Sequence, residues 1–160
     1  MLISKELNAA INDEIGLELF ASHQYMAMAA YFDEIALKKL SALFFKQADE
    51  ERGHAMKFIK YLMDAGGKVE IPTIKAPQAT FASVEEAVRI SYDWEMEVTR
   101  RINALMALAI EQKDYIAQDF LRWFETEQLE EVSSMDRLLK VVRQAGERNM
   151  IMLEAYLSHE

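Results

Sequence analysis

Leu40, Phe44, Gln47, Glu51, His54, Phe58, Tyr61 and Ala65 recur in alternating steps of four and three along a stretch without a proline. On a helix that spacing gathers them into one stripe, and a stripe so rich in apolar residues faces a core. At its centre stand a carboxylate and an imidazole, Glu51 and His54, three residues apart and therefore on one face. A buried charge without a partner costs several kcal/mol or neutralises itself. The remainder of the chain is thereby constrained to bring matching polar groups to the same depth.

The same rhythm recurs in three other segments. A first helix is predicted from about Ser4, a plausible N-cap, to Phe32, with the stripe Leu7, Ile11, Glu14, Glu18, Ala21, Tyr25, Met28 and Phe32. The turn around Asp33 to Leu37 contains neither Gly nor Pro and is placed only by the change of periodic frame. Gly66-Gly67 stops the second helix. Lys68 to Ala82 holds Pro72 and Pro77 and shows no helical period, after which Ser83 and Glu86 offer a capping box for a third helix. That helix runs from about Val84 to Glu111 with the stripe Val84, Val88, Ser91, Glu95, Val98, Ile102, Leu105 and Ala109. The short polar turn Gln112-Lys113-Asp114 implies an antiparallel fourth helix to about Ala145, with the stripe Ala117, Leu121, Phe124, Gln128, Glu131, Met135, Leu138 and Val142. Gly146 ends it. Glu147 to Glu160 is compatible with a helix too short to stand alone.

A crossover of roughly 15 residues at ~3.3 Å each reaches ~50 Å, whereas a helix of about 28 residues at ~1.5 Å each is ~42 Å long. The crossover therefore spans the bundle and leaves the second and third helices parallel. With 5 Gly and 2 Pro in 160 residues, strands are disfavoured. The expected fold is all-α: one domain over 1–160, with a four-helix bundle at about 4–145, a long crossover between helices 2 and 3, and a short fifth helix at about 147–158.

Composition narrows the function. The absence of Cys removes disulfides, thiolate metal sites and Cys nucleophiles. A formal net charge of -9, from 27 acids against 18 Lys and Arg, argues against a nucleic-acid partner and makes cations the natural ligands. No segment reaches the ~18 apolar residues of a membrane span, and Met1-Leu2-Ile3-Ser4-Lys5 does not open a signal peptide. No membrane partner and a cytoplasmic location are expected. The ten Met residues are expected as core filler, His23 on the surface or an interface, and Tyr25 and Trp123 as packing residues.

Each stripe is interrupted near its middle: Glu18 on the first, Glu51 with His54 on the second, Glu95 on the third, Gln128 with Glu131 on the fourth. A single Glu on an apolar stripe ordinarily snorkels to water, and a lone core His is ordinarily just hydrogen-bonded. Four interruptions at one level are different, because carboxylates packed together in an apolar core require compensating cations. Oxygen ligands with one imidazole suit iron or manganese, and Glu51 is central enough to bridge two ions.

Glu18 with Tyr25, Glu50-Glu51-x-x-His54, Glu95 followed by Val98-Thr99, and Trp123-x-x-x-Glu127-Gln128-x-x-Glu131 together resemble the signature of non-haem bacterial and archaeal ferritins. The resemblance covers essentially the whole chain. It implies a ferritin-like bundle in a cage of 24 subunits that oxidises Fe(II) with dioxygen or peroxide and stores the ferric product as mineral. Position by position, it implies that Glu18, Glu51 and His54 hold a first iron. Glu51, Glu95 and Glu131 hold a second, with Gln128 beside it. Glu50, Glu127 and Glu130 match an additional iron site, and Tyr25 the tyrosine near the diiron centre. Bacterioferritins carry a second Glu-x-x-His where this chain has Gln128-x-x-Glu131, and the methionine context of their haem site is not matched, so no haem is expected. Two other readings of the residues stay open: a diiron peroxidase or oxygenase without storage, and a structural bundle that binds no iron.

Overall fold

The computed structural model of the protein describes residues 1–159. Four long helices, α1 (Lys5–Glu34), α2 (Lys38–Asp64), α3 (Val84–Glu111) and α4 (Tyr115–Ala145), precede a 3-10 turn (Glu147–Asn149) and α5 (Met150–Leu157). Among the described residues there is no strand. Every residue of the four predicted stripes is buried except Gln47, which is partly exposed.

Three helices end in one motif. After α1, the Leu37 amide donates to the Phe32 carbonyl and the Ala36 amide to that of Asp33, with Ala36 at φ 65°. After α3 the same pair of bonds runs from Asp114 to Ala109 and from Lys113 to Ile110, with Lys113 at φ 55°. After α2 the left-handed residue is Gly66. All three are Schellman closures, and two of them place an ordinary L-residue where glycine is preferred. At the first, Phe32 and Leu37 are both buried in one cluster, so an apolar contact supports a turn that has no Gly or Pro to mark it.

Helix starts are capped as the sequence predicts at α1 and α3. Ser4 Oγ accepts from the Leu7 amide at 3.0 Å, and Ser83 Oγ from the Glu86 amide at 3.0 Å. The Glu86 carboxylate closes on the Ala82 amide rather than on that of Ser83. The start of α2 has no local side-chain cap. Its amides at Lys39 and Leu40 donate instead to the two carboxylate oxygens of Glu154 in α5, at 2.8 and 2.9 Å. Glu147 likewise accepts from the Glu85 amide at 3.0 Å. The first turns of α2 and α3 thus meet the same C-terminal segment, which places them at one end of the bundle and makes the helices parallel.

The crossover between α2 and α3 has no regular structure, so its backbone groups need other partners. Side-chain amides of α1 supply them in pairs: Asn8 bonds both the amide and the carbonyl of Lys68, Asn12 the Lys68 carbonyl and the Glu70 amide, and Gln24 both groups of Gln78. Gly16 in α1 provides the seat for Pro72, since a Cβ there would lie 2.3 Å from the proline Cγ.

The apolar core is in two parts. One cluster contains Tyr25, Phe32, Leu40, Phe44, Val88 and Leu138; the other contains Leu7, Ile11, Phe58, Ile102, Leu121 and Phe124. Between them lies a layer of buried polar residues. Most methionines are not in either cluster: Met28, Met135 and Met150 are buried, while Met1, Met26, Met56, Met63, Met96 and Met152 are exposed, because they stand off the inward stripes. That corrects the expectation of a methionine-filled core. His23 is exposed, as expected.

Candidate metal centre

The polar layer brings together the residues that interrupt the stripes. Glu18 and Glu95 are fully buried, Glu51 is 1% exposed, Gln128 2%, His54 4% and Glu131 6%. Their positions follow from helix geometry: Glu51 and His54 share a face of α2, Gln128 and Glu131 a face of α4, and single acids face them from α1 and α3. Three groups offer one ligand atom per residue within 4.8 Å of one another: Glu18, Glu51 and His54; Glu51, Glu95 and Glu131; and His54, Glu127 and Glu131. Glu51, His54 and Glu131 are each shared between two groups.

Both oxygens of Glu18 lack any hydrogen-bond partner although the residue is fully buried. His54 Nδ1 lies 3.4 Å from Glu18 Oε2 and 3.4 Å from Glu51 Oε2, without hydrogen-bond geometry to either. Such orphaned polar atoms are rare in folded proteins, and a cation is the group that would satisfy carboxylate oxygens and an imidazole nitrogen together.

The electrostatics agree. Burial, followed by the Glu51 charge, raises the Glu18 carboxyl well above its ordinary range. Burial and the same charge push Glu95 up to about 8. Burial and the Glu95 charge push Glu131 up to about 9. Burial would raise Glu51 too, but its contacts with Glu18 and His54 and the hydrogen bond from Gln47 outweigh it and hold the carboxyl low. For His54 burial acts against the proton, and contact with Glu51 wins, raising the imidazole. Without cations, this layer keeps neutral by retaining protons on most of its acids.

The surroundings fix these side chains. Tyr25 Oη donates to Glu95 Oε1 at 2.5 Å, and Gln128 Nε2 lies 3.3 Å from Glu95 Oε2 and 3.2 Å from Thr99 Oγ1. Trp123 meets the His54 ring edge-on at 5.6 Å while remaining 41% exposed, with Lys57 Nζ over its outer face. Beside the layer, Glu50, Glu127, Glu130 and Glu131 line a pocket of about 220 Å³ with Lys46 and Gln47. Glu127 also approaches His54 Nε2 at 3.9 Å.

Two polar residues carried no site expectation from the sequence although both sit on the stripes. Gln47 Nε2 donates to Glu51 Oε1 at 2.9 Å and to Glu131 Oε2 at 2.7 Å, tying α2 to α4. Glu14, one turn before Glu18, is 2% exposed with Oε1 unpartnered, and burial pushes it to about 7 against the pull of Arg101. Their places on the inward stripes were the available signal.

Comparison with known proteins is consistent in sequence and in structure. The sequence profile of the Ferritin-like domain family matches residues 8–145. Ferritin BfrB of Mycolicibacterium smegmatis is 36% identical over 158 residues, covering 99% of this chain and 87% of that protein. A bacterial non-heme ferritin of Staphylococcus aureus is 39% identical over 146 residues, covering 91% of this chain and 88% of that protein. The open pore ferritin of the hyperthermophilic archaeon Archaeoglobus fulgidus superposes with a TM-score of 0.95 at 34% identity, covering 99% of this chain and 98% of that one. A closed form of that ferritin, engineered by site-directed mutagenesis, gives 0.93 at 33% identity. With a bundle of this topology, a buried carboxylate and imidazole layer between two apolar clusters, and relatives matched along nearly its whole length, the chain belongs to the ferritin family.

Proposed function

We propose that this chain stores iron and is a ferroxidase: it takes up Fe(II) at the buried layer, passes the electrons to dioxygen or peroxide, and retains the ferric product as mineral inside a hollow cytoplasmic homo-oligomer of 24 copies. The observation that carries the reading is Glu18, a fully buried carboxylate with both oxygens unpartnered, facing Glu51 and His54. Acids held at that depth destabilise the fold and are explained by a cation substrate.

The grouping of Glu18, Glu51 and His54 supports a first iron position, and that of Glu51, Glu95 and Glu131 a second, with Glu51 shared. Two Fe(II) then supply the two electrons that reduce one dioxygen to hydrogen peroxide or one peroxide to water. Gln128 braces Glu95, and Tyr25 donates a hydrogen bond to the same carboxylate from the apolar side. Glu50, Glu127 and Glu130, in the open pocket next to Glu131, are the additional iron position. Oxygen ligands with a single imidazole favour iron over softer metals. The chain acts as one domain. Ile151 and Met152 of α5, 84% and 67% exposed, and the apolar side chains outside the bundle give a symmetric neighbour surface to cover.

The test is an anaerobic Fe(II) titration of metal-free protein followed by admission of oxygen, with particle mass from light scattering. Saturable binding of two Fe(II) per subunit at the buried layer, followed by a third in the pocket, rapid oxidation and a particle far larger than a dimer are expected. Absence of saturable binding overturns the centre, and a monomer or dimer at micromolar concentration overturns the cage.

A further inference from the structure

Glu131 belongs to two places at once. It contributes to the buried group with Glu51 and Glu95, and it lines the open pocket with Glu50, Glu127 and Glu130. A glutamate side chain is long enough to serve either, so something must decide which way it faces. The only side-chain hydrogen bond given to its carboxylate among the described residues comes from Gln47, whose amide also holds Glu51, one helical turn away on α2. Gln47 stands where the two places meet, partly buried and lining the pocket.

We propose that Gln47 is a positioning residue that assigns Glu131 to the second cation of the buried centre. One amide nitrogen has two hydrogens, and here they go to carboxylates on two different helices. Glu51 Oε1 and Glu131 Oε2 are taken up by Gln47, which leaves Glu51 Oε2 near His54 Nδ1, at 3.4 Å, and leaves Glu131 Oε1 without a bond to the amide. Each carboxylate thus keeps one oxygen for a cation while the other fixes its rotamer. Such outer partners raise ligand occupancy by holding the side chain in the binding geometry before the ion arrives. Without the amide, Glu131 is free to turn toward Glu127 and Glu130, and the second cation loses a ligand to the pocket. The first cation position, with Glu18 and His54, does not depend on Glu131.

This rests on the reading of the layer as a two-cation centre, and Zn(II), which undergoes no redox change, tests it apart from oxidation. Calorimetric titration of Zn(II) into the assembled, metal-free full-length protein is compared for wild type, Gln47→Leu, Glu131→Gln and the double variant. Gln47→Leu is expected to weaken the second binding event roughly 10- to 100-fold, to weaken the first, which shares Glu51 but not Glu131, by less, and to add little to the loss of the second event caused by Glu131→Gln. That non-additivity is the signature of one residue acting through the other, whereas a merely structural role gives losses that add. Unchanged second binding in Gln47→Leu, or additive losses, overturns the proposal while leaving the two-cation centre intact. A wild-type protein with only one Zn(II) event per subunit overturns both. Gln47→Met, equally unable to donate, makes the same comparison if the leucine chain does not assemble.

Discussion

Glu131→Gln is expected to stabilise the metal-free protein while disabling its second cation position. The carboxyl of Glu131 is pushed up to about 9 from 4.5, first by burial and then by the Glu95 charge. At pH 7 the unfolded chain carries it ionised and the folded chain carries it protonated. Taking up that proton across the gap from 4.5 to pH 7 costs about 3 kcal/mol of folding free energy, at about 1.4 kcal/mol per pH unit. Glutamine keeps the shape and an oxygen that accepts from Gln47, and it has no proton to take up. Because Glu131 titrates together with Glu95 and Glu51, which readjust when it is replaced, the expected gain is about 1–3 kcal/mol. The sign with pH follows directly. Between about 4.5 and about 9 the folded state binds more protons than the unfolded, so the stability of the wild type falls as pH rises through that window. The advantage of the variant should therefore be small at pH 5 and several times larger at pH 8. Urea unfolding of the two metal-free proteins at equal subunit concentration measures it, and added Zn(II) should restore the wild type more than the variant. A variant less stable than wild type at pH 8, or with the same advantage at both pH values, refutes the account of this layer as a set of destabilising acids.

Other perturbations separate the parts of the molecule. His54→Ala should leave the bundle folded and slow Fe(II) oxidation by more than the roughly 10- to 100-fold typical of losing an outer-shell partner; stopped-flow traces like those of wild type would remove His54 from the centre. Glu130→Ala should change the iron-to-oxygen stoichiometry or the turnover more than the first rapid oxidation, and identical values for both would count against a distinct site in the open pocket. Ala36→Gly, at φ 65° on an exposed turn, should raise stability by about 0.5–1 kcal/mol, the relief of left-handed strain less the added entropy of the unfolded chain. Denaturant midpoints that stay put or fall would contradict the strain assigned to that turn.

The inward faces of the four long helices were legible because period and burial are the same fact read twice: an apolar residue every three or four positions has nowhere to go but the core. Gln47 is the one stripe residue that the structure leaves partly exposed, and it is also the one whose bridging role between Glu51 and Glu131 went unread. Polar residues on a stripe disclose depth but not partners, since Glu131 is 84 positions away in the chain. The close of α1 was hidden for a different reason. Its geometry is as regular as that of α2, but it uses Ala36 where α2 uses Gly66, and a sequence advertises a left-handed turn only through glycine or asparagine. Pro72 and Pro77 mark the crossover as irregular, yet Asn8, Asn12 and Gln24, which hold it, look like ordinary polar residues of an amphipathic helix. Composition gives no information on which side of a helix a methionine lies, and most methionines of this chain lie outward.

The carboxylates of Glu147 and Glu154 occupy the first turns of α3 and α2 from the far end of the chain. Both carboxylates follow α2 and α3 in the chain, so a chain that has built these helices but not yet the segment from Glu147 to Glu154 leaves the amides of Lys39, Leu40 and Glu85 to water. A truncation before Glu147 is thereby felt at the starts of two helices far from the cut in sequence. One short segment acts as a clasp across both.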